Sequence, residues 1–350
     1  MSAEAGLTLG VIVCCRDEER VIERRVRNLA LTQWPRSNRP HAVVVVDDGS
    51  TDHTQALARA AGAGAFSASV HFEVIGNSVR AGKSGAIETA IRRLNGRVDL
   101  LVLTDADVVN DPQALASTAA DFERSPQLAM ACGAQHFVSN LSNSGALDPR
   151  LSRRRGDWYD GLTALVRRLE SLSGRVFSVH GQLLAWRAEL GLSPRDGLAA
   201  DDLDLMRQTR LLRGRVELLR SARFFEVKPK DRGERWKQGL RRARAYVQFV
   251  QTLDPSAAGD FGTRWQWRFY KHVPTAVPGM ALGVLALILA AAGRSLWRAR
   301  EVRVNELAFM GYLLALVVVC SGLWRLCYLI QAAKRLERVQ PMDDRWTTVR

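Results

Sequence analysis

The amino-acid sequence predicts an α/β fold, a mostly parallel sheet with helices on both faces. Short β-branched runs alternate with amphipathic helical stretches over residues 1–135, which is typical of βαβ units. Hydrophobic residues make up 47% of the 350-residue chain and charged residues 25%, which excludes disordered and fibrous classes. Acidic residues follow several predicted strands, where sheets of this class bind their ligands.

The predicted elements succeed one another regularly. The strands are expected at 9–15, 41–46, 71–75 and 99–104, and the helices at 18–30, 52–61, 84–94 and 112–123. Strands separated by single helices pair in parallel. We therefore expect the residues that follow each strand to lie together at one edge of the sheet. Residues 139–157, rich in Ser, Asn, Gly and Arg, are expected to be irregular.

The C-terminal third differs from the rest. Residues 273–292 and 307–324 contain no charge, and each is close to the ~20 residues that cross a bilayer as a helix. Residues 264–271 mix Trp, Phe and Tyr with Arg and Lys, as at a membrane interface. Residues 235–250 predict a basic amphipathic helix, lying on a membrane or packed on its own domain. Buried core helices, or a hairpin that enters the bilayer without crossing it, are the alternatives for the apolar pair.

The formal charge of +14 predicts attraction to phosphate, as nucleic acid, anionic membrane or nucleotide. The five cysteines show no metal-ligand spacing, so we expect reduced, buried thiols of a cytosolic protein. The first ten residues lack the basic start and apolar core of a signal peptide.

Acids cluster after three of the strands. They occupy 17–19 after the first strand, 47–48 after the second, and Asp105 and Asp107 after the fourth. Carboxylates at one sheet edge repel each other unless a cation or hydrogen-bond donors lie among them. The Asp-x-Asp pair suits a hard ion such as Mg²⁺ or Mn²⁺, although aspartate is also frequent in turns. Asp52 is interpreted as a helix cap.

The segment GNSVRAGKS at 76–84 comes close to a P-loop. It departs from G-x4-GK[ST] by one inserted residue, and the loop's length determines how its amides wrap a phosphate. An NTPase is therefore disfavoured.

Taken together, several motifs resemble the inverting nucleotide-sugar glycosyltransferases of family 2, which have a GT-A fold. They are QWP (33–35), VVVVDDGSTDHT (43–54), RAGKSGAI (80–87), LVLTDADVV (101–109), SVHGQLLAWR (178–187) and ADDLDL (200–205). The resemblance implies a catalytic domain at 1–230, with a nucleotide-binding half at 1–135 and an acceptor half at 136–230. Interfacial helices at 231–272, a transmembrane pair at 273–330 and a basic tail at 331–350 would follow.

The resemblance also implies the residues of the donor site. The predicted nucleotide contacts are Glu18, Asp47, Asp48, Arg80, Lys83 and Asp105. Asp48 is the candidate for the polar edge of the base, and Arg80 and Lys83 are expected to face the phosphates. Asp107, with Asp105, is the expected metal ligand. Asp17 stands where the family usually has Asn.

Asp201 and Asp202 match the family's Glu-Asp pair, whose second acid is the general base of an inverting transfer. A single displacement at the anomeric carbon needs a carboxylate to take the acceptor's proton, so Asp202 is the expected base and Asp201 an acceptor contact. The alternative is an ordinary negative charge at a helix N-terminus.

Acceptor and diphosphate contacts are implied for several more residues. His180, Gln182 and Trp186 lie in the acceptor segment, with core packing as the alternative. Downstream, one register makes Arg235 and Trp236 equivalent to the Gln-x-x-Arg-Trp of polymer-forming relatives. A second register uses Arg241 and Arg244 instead.

The sequence therefore predicts a hexosyl- or N-acetylhexosaminyltransferase of the inner membrane, multi-pass, with a cytoplasmic catalytic domain. We expect Mg²⁺ or Mn²⁺ as cofactor, a UDP-sugar rather than a GDP-sugar as donor, and a lipid-linked or glycan acceptor, with or without a membrane partner subunit. The alternatives are a processive polysaccharide synthase subunit, a non-enzymatic scaffold and a membrane-anchored nucleic-acid-binding protein. Nucleic acid is not an expected partner, because acids crowd the ligand edge of the sheet.

Overall fold

The computed structural model describes residues 6–77, 82–156, 158–228, 231–272 and 329–337, and the single positions 283, 287 and 290. The chain divides into two compact units. The first runs to Arg232 and includes Ala257–Asp260. The second comprises Gly233–Ser256 and the described residues from Phe261 onward.

The first unit alternates strands and helices through its N-terminal half, as predicted. The strands are β1 (Leu9–Cys15), β2 (His41–Asp47), β3 (Val70–Gly76), β4 (Leu100–Thr104), β5 (Val109–Asn110), β6 (Leu128–Val138), β7 (Leu184–Arg187) and β8 (Arg215–Val227). The helices are α1 (Ile22–Leu31), α2 (Thr54–Gly62), α3 (Gly82–Leu94), α4 (Ala114–Arg124), α5 (Trp158–Leu172) and α6 (Asp201–Leu211).

These strands form one mixed sheet in the order β3-β2-β1-β4-β7-β6-β8-β5. The first four strands pair in parallel, which confirms the prediction for the N-terminal half. β7 lies antiparallel between β4 and β6, and β5 is antiparallel to β8. The sheet is therefore less uniformly parallel than the sequence indicated, because β7 and β5 enter it antiparallel to their neighbours.

Buried residues explain why the central strands form. Every residue of β1 and β2 is buried, as expected for strands covered by helices on both faces. Gly10 allows α3 to approach β1, since a Cβ there would lie 2.9 Å from a methyl of Leu94. Asp52 Oδ1 accepts the N–H of Thr54 at 2.9 Å, but the N-cap position of α2 is His53, so Asp52 lies one residue before the cap. Cys14, Cys15 and Cys132 are buried free thiols.

The second unit contains the predicted basic helix as α7 (Arg232–Gln251). Its apolar positions Val247 and Val250 are buried, whereas Arg235 and Arg241 are exposed. Arg244 is the exception on the basic side, since its Nε lies 2.8 Å from Glu337 Oε1.

The two apolar runs at 273–292 and 307–324 lie outside the described residues, apart from the three single positions. Cys320, Cys327 and the tail beyond 337 lie outside them too. Among the helices that the structure describes, none combines the length and the apolar character needed to cross a membrane.

Candidate active site

The carboxyl ends of β1, β2 and β4 bring the predicted acids to one edge of the sheet. β1 lies between the other two strands, with Cys15 paired to Asp47 and Val13 paired to Thr104. The segments that follow the three strands therefore leave the sheet side by side, as the βαβ pattern predicted.

Two of these segments are fastened to each other. Asp17 has a φ of +50°, in the left-handed region that Asp and Asn adopt more readily than most residues. Its Oδ1 accepts the N–H of Thr51 at 2.8 Å, and its own N–H donates to Ser50 Oγ at 2.9 Å. The N–H of Glu18 donates to Thr54 Oγ1 at 2.7 Å. Asp17 thus adopts the left-handed backbone that an Asn at this position would also tolerate. Glu18 is held in place through its backbone N–H.

Asp47 and Asp48 are used inside the fold. Asp48 is fully buried, and its carboxylate accepts the N–H of Gly82 at 2.9 Å and the Nδ2–H of Asn77 at 3.1 Å. Asp47 is buried too and accepts the N–H of Ser50 at 3.3 Å. That Asp48 faces the polar edge of a nucleobase stays a prediction. Its carboxylate holds the connection between β3 and α3, because two donors of that connection converge on it.

Lys83 is the centre of a charged cluster. Its Nζ lies 3.0 Å from Asp105 Oδ1, after β4, and 3.7 Å from Asp201 Oδ2, at the start of α6. Burial by itself lowers the pKa of Lys83, but the charges of Asp105, Asp201 and Asp202 outweigh burial and raise it. Lys83 therefore stays protonated and bridges the turn after β4 and the start of α6. The sequence predicted only a phosphate contact.

The carboxylate of Asp202 is held by two backbone donors. Its Oδ2 accepts the N–H of Gly181 at 3.1 Å, and its Oδ1 accepts the N–H of Leu203 at 2.8 Å. Burial, followed by repulsion from Asp201, raises the pKa of Asp202 to about 7. A carboxylate with such a pKa changes protonation near neutral pH, which is the property of an effective general base. Burial also raises the pKa of Asp201.

Asp105 and Asp107 stand on the turn after β4. Desolvation by surrounding protein atoms, followed by the charge of Asp105, raises the pKa of Asp107, although solvent reaches its side chain. Such repulsion is relieved by a cation. No group of three or more His, Cys, Asp or Glu side chains that could hold a metal occurs among the described residues. The pair instead fits Mg²⁺ or Mn²⁺ held by one or two carboxylates, with phosphate and water as further ligands.

A buried arginine that the sequence reasoning missed supports this turn. The Nη2–H of Arg25 donates to Thr104 Oγ1 at 2.6 Å, and its Nη1–H donates to the carbonyl of Val108 at 3.3 Å and to Asn28 Oδ1 at 2.9 Å. Thr104 in turn donates to the carbonyl of Gln182 at 2.7 Å. Burial lowers the pKa of Arg25 to about 9.

This network connects the turn of Asp105 and Asp107 to the segment that contacts Asp202. Gly181, which donates to Asp202, directly precedes Gln182. The sequence carried one signal of the network. Arg25 falls among the apolar positions Ile22, Val26 and Leu29 of α1, where a charge is unexpected.

Arg16 is a second arginine at this edge of the sheet for which the sequence predicted no role. It follows β1, and its Nε lies 3.5 Å from Asp17 Oδ2. Its Nε and Nη1 are buried and make no hydrogen bond within the described part of the chain. A guanidinium with unused donors at the ligand edge suits an anionic or polar group of a bound molecule.

The predicted acceptor residues have different positions. Trp186 is fully buried in β7 and paired with Leu101 and Met130, so it is a core residue and offers no face for a sugar ring. That prediction is corrected, since an interior strand position excludes solvent. His180 is buried and contacts the ring of Phe224 edge-on at 5.0 Å.

Gln182 has a different environment. Its side-chain Oε1 is buried and has no hydrogen-bond partner among the described residues. Arg80 lies outside the described residues, and Arg235, Trp236, Arg241 and Arg244 belong to the second unit.

A family model described as "Glycosyltransferase like family 2" matches residues 6–245. The chain is similar to the mannosyltransferase PcManGT from Pyrobaculum calidifontis, solved in complex with GDP-Man and Mn²⁺. The TM-score is 0.66 with 23% identity, over 97% of this chain and 89% of that one. No curated protein matches the chain.

Two more distant structures are similar to the chain. One is S. aureus TarS 1-349, with a TM-score of 0.49, 15% identity and coverage of 76% and 70%. The other is glucosyl-3-phosphoglycerate synthase from Mycobacterium tuberculosis in complex with phosphoglyceric acid, with a TM-score of 0.46, 18% identity and coverage of 73% and 82%.

Proposed function

The chain belongs to glycosyltransferase-like family 2 and has a GT-A-like fold, and from this membership we propose that it moves one sugar from a nucleoside diphosphate sugar to an acceptor presented at a membrane. In this proposal residues 1–230 are the catalytic domain in the cytoplasm, and 231–272 lie at the inner membrane surface. Residues 273–330 cross the membrane and 331–350 form a basic tail. The acceptor is a lipid-linked or glycan hydroxyl or phosphate.

The observation that carries the proposal is the cluster around Lys83. It brings the acid after β4 within 3.0 Å of an ammonium group that also lies 3.7 Å from Asp201. Asp202, next in the chain, has a pKa of about 7, raised first by burial. One protonated side chain thus joins the half expected to bind the donor to the half expected to activate the acceptor.

The proposed reaction is a single displacement with inversion. Asp202 takes the proton of the acceptor hydroxyl while the acceptor oxygen forms a bond to the anomeric carbon. The bond from that carbon to the diphosphate oxygen breaks, and its electron pair leaves with the nucleotide. The hydrogen bonds from Gly181 and Leu203 hold the carboxylate in place for this step. Lys83 keeps a positive charge beside it.

We propose that Asp107 and Asp105 hold the divalent metal. When bound, Mg²⁺ or Mn²⁺ would stabilise the negative charge that develops on the departing diphosphate. PcManGT was solved with Mn²⁺ and GDP-Man, which supports a divalent metal and a nucleoside diphosphate sugar in this chain as well. We keep a UDP-sugar as the first donor to test and GDP-Man as the second.

The proposal is tested in two steps. Thermal unfolding of the full chain in detergent is measured with UDP- and GDP-sugars, with and without Mn²⁺, because a ligand that binds only the folded state raises the Tm. The stabilising sugar is then radiolabelled and incubated with membrane lipid extract. One labelled lipid product, absent with the Asp202→Asn variant, is the expected result. A ladder of products would identify a processive synthase, and no transfer from any bound donor would refute the proposal.

A further inference from the structure

Helix α5 (Trp158–Leu172) exposes its apolar face, unlike most helices at the surface of a soluble protein. Such helices normally turn their apolar side chains toward the protein and their polar ones toward water. In α5 none of the side chains that the structure describes is fully buried. Polar side chains attach the helix to the protein, and five apolar side chains are exposed.

The inner side of α5 is attached by polar groups. Asp160 Oδ2 lies 2.7 Å from Lys228 Nζ. The Nε–H of Arg167 donates to the carbonyl of Ser178 at 2.8 Å. Ser171 Oγ accepts a backbone N–H of β8 at 2.9 Å. These attachments fix the rotation of the helix about its axis, and they explain why its apolar residues point outward.

The outer side of α5 is an apolar stripe. Its members are exposed and recur at the three- and four-residue intervals of one helix face. They are Leu162, Leu165, Val166, Leu169 and Leu172. Leu169 is 58% exposed and Leu172 is 82% exposed, values typical of surface polar residues. The stripe extends for about 15 Å along the helix. A continuous exposed apolar surface of this kind marks a contact with a protein or a membrane.

We propose that this stripe rests on the surface of a lipid bilayer that contains anionic headgroups. Charge complementarity favours lipid over a second protein. Exposed arginines lie immediately before the helix at 150, 153, 154 and 155, and Arg168 is exposed beside the stripe. Amphipathic helices with a basic border bury their apolar face at the boundary of headgroups and acyl chains. The two uncharged runs at 273–292 and 307–324 of the same chain are consistent with a bilayer nearby.

The contact would orient the acceptor side of the site. Arg167 binds the carbonyl of Ser178, and Glu170 Oε2 accepts the N–H of Phe177 at 3.0 Å. Both partners lie a few residues before Gly181, which donates to Asp202. Resting α5 on lipid therefore places the segment beside the candidate base next to the membrane. The inference goes beyond the proposed function and does not require glycosyl transfer.

The test measures lipid contact at single positions of the full chain. Leu165→Cys and Leu169→Cys variants are labelled with a bimane fluorophore and reconstituted in vesicles of phosphatidylcholine and phosphatidylglycerol, with or without doxyl-labelled phosphatidylcholine. Arg92→Cys, on an exposed position of α3, is the matched control. The unsubstituted chain, labelled in the same way, supplies the background from its own cysteines.

We expect doxyl lipid to quench the labels at 165 and 169 and to leave the label at 92 unchanged. We also expect the quenching to weaken when phosphatidylglycerol is replaced by phosphatidylcholine. Equal quenching at all three positions would overturn the proposal. So would labels at 165 and 169 that are shielded from aqueous iodide yet not quenched by doxyl lipid, because a protein surface would then cover the stripe. Since no sugar transfer is measured, failure here is distinct from failure of the proposed function.

Discussion

Replacing Thr104 by Val tests whether the buried network around Arg25 is a real link between the two halves of the site. The two side chains have nearly the same shape, so the substitution removes the hydroxyl and little else. The hydroxyl accepts a hydrogen bond from Arg25 at 2.6 Å and donates one to the carbonyl of Gln182 at 2.7 Å. Arg25 keeps its contacts with Val108 and Asn28.

The magnitude follows from these two bonds. Losing a hydrogen bond to a charged donor costs about 1.5–3 kcal/mol, and losing one between neutral groups costs about 0.5–1.5 kcal/mol. Because Thr104 and Arg25 are both fully buried, water does not replace the hydroxyl at Arg25. We therefore expect the free energy of unfolding to fall by roughly 2–4 kcal/mol. At about 2–4 °C per kcal/mol for a domain of this size, the Tm falls by roughly 4–16 °C.

The assay is thermal unfolding followed by tryptophan fluorescence. Thr118→Val is the matched control, because Thr118 is buried and its hydroxyl bonds, among the residues that the structure describes, only the carbonyl of Ala114, one turn back in α4. We expect the control to lose less than about 1 kcal/mol, and Thr104→Ser to remain close to the unsubstituted chain. Equal Tm values for the two valine variants would refute the reasoning, because the network would then contribute no more than an ordinary helix hydroxyl.

Four further predictions concern the proposed chemistry. Asp202→Asn is expected to lower sugar transfer by about 10²–10⁴-fold with donor binding retained, as measured by initial rates, whereas Asp196→Asn at an exposed position leaves the rate unchanged. The pKa of Asp202 is raised to about 7 and the base acts deprotonated, so kcat/KM is expected to rise with pH through about 7. The charge of Lys83 lowers the pKa of Asp202, so Lys83→Met is expected to move the rise of kcat/KM to higher pH. Lys83→Arg keeps the charge and is expected to leave the pH profile in place. An unchanged profile in Lys83→Met would contradict the effect of Lys83 on Asp202. Asp107→Ala, or chelation by EDTA, is expected to abolish the Mn²⁺-dependent part of the Tm gain from a nucleotide sugar, and a full gain without metal would show that the pair holds none.

Local sequence rules were sufficient for the first four strands. The predicted strands at 9–15, 41–46, 71–75 and 99–104 lie within one residue of their observed ends. Each strand needs only its own buried residues and the helix that follows it. β7 was not predicted, because its four residues carry no strand signal of their own. Its position between β4 and β6 depends on pairing with segments more than 50 residues away.

The candidate site also contains features that local sequence predicted and features that depend on distant parts of the chain. The position of the acids that follow the strands was predictable, because the carboxyl ends of parallel strands lie at the same edge of the sheet. The burial of Asp48 and of Trp186 was not, because each depends on what packs over it from elsewhere in the chain. The partners of Lys83 lie 22 and 118 residues away, so no spacing rule could link them.

By itself, the sequence determined the α/β class, the acidic edge of the sheet and the motifs that identified the family, because these depend on residue type and local order. Only the tertiary structure decided that Lys83 joins the two halves of the site, that Arg25 supports the turn of Asp105 and Asp107, and that the apolar side of α5 faces outward. The physical reason is the same in each case. Hydrogen bonds and ion pairs act over about 3 Å, and which groups come that close is determined by how the whole chain packs.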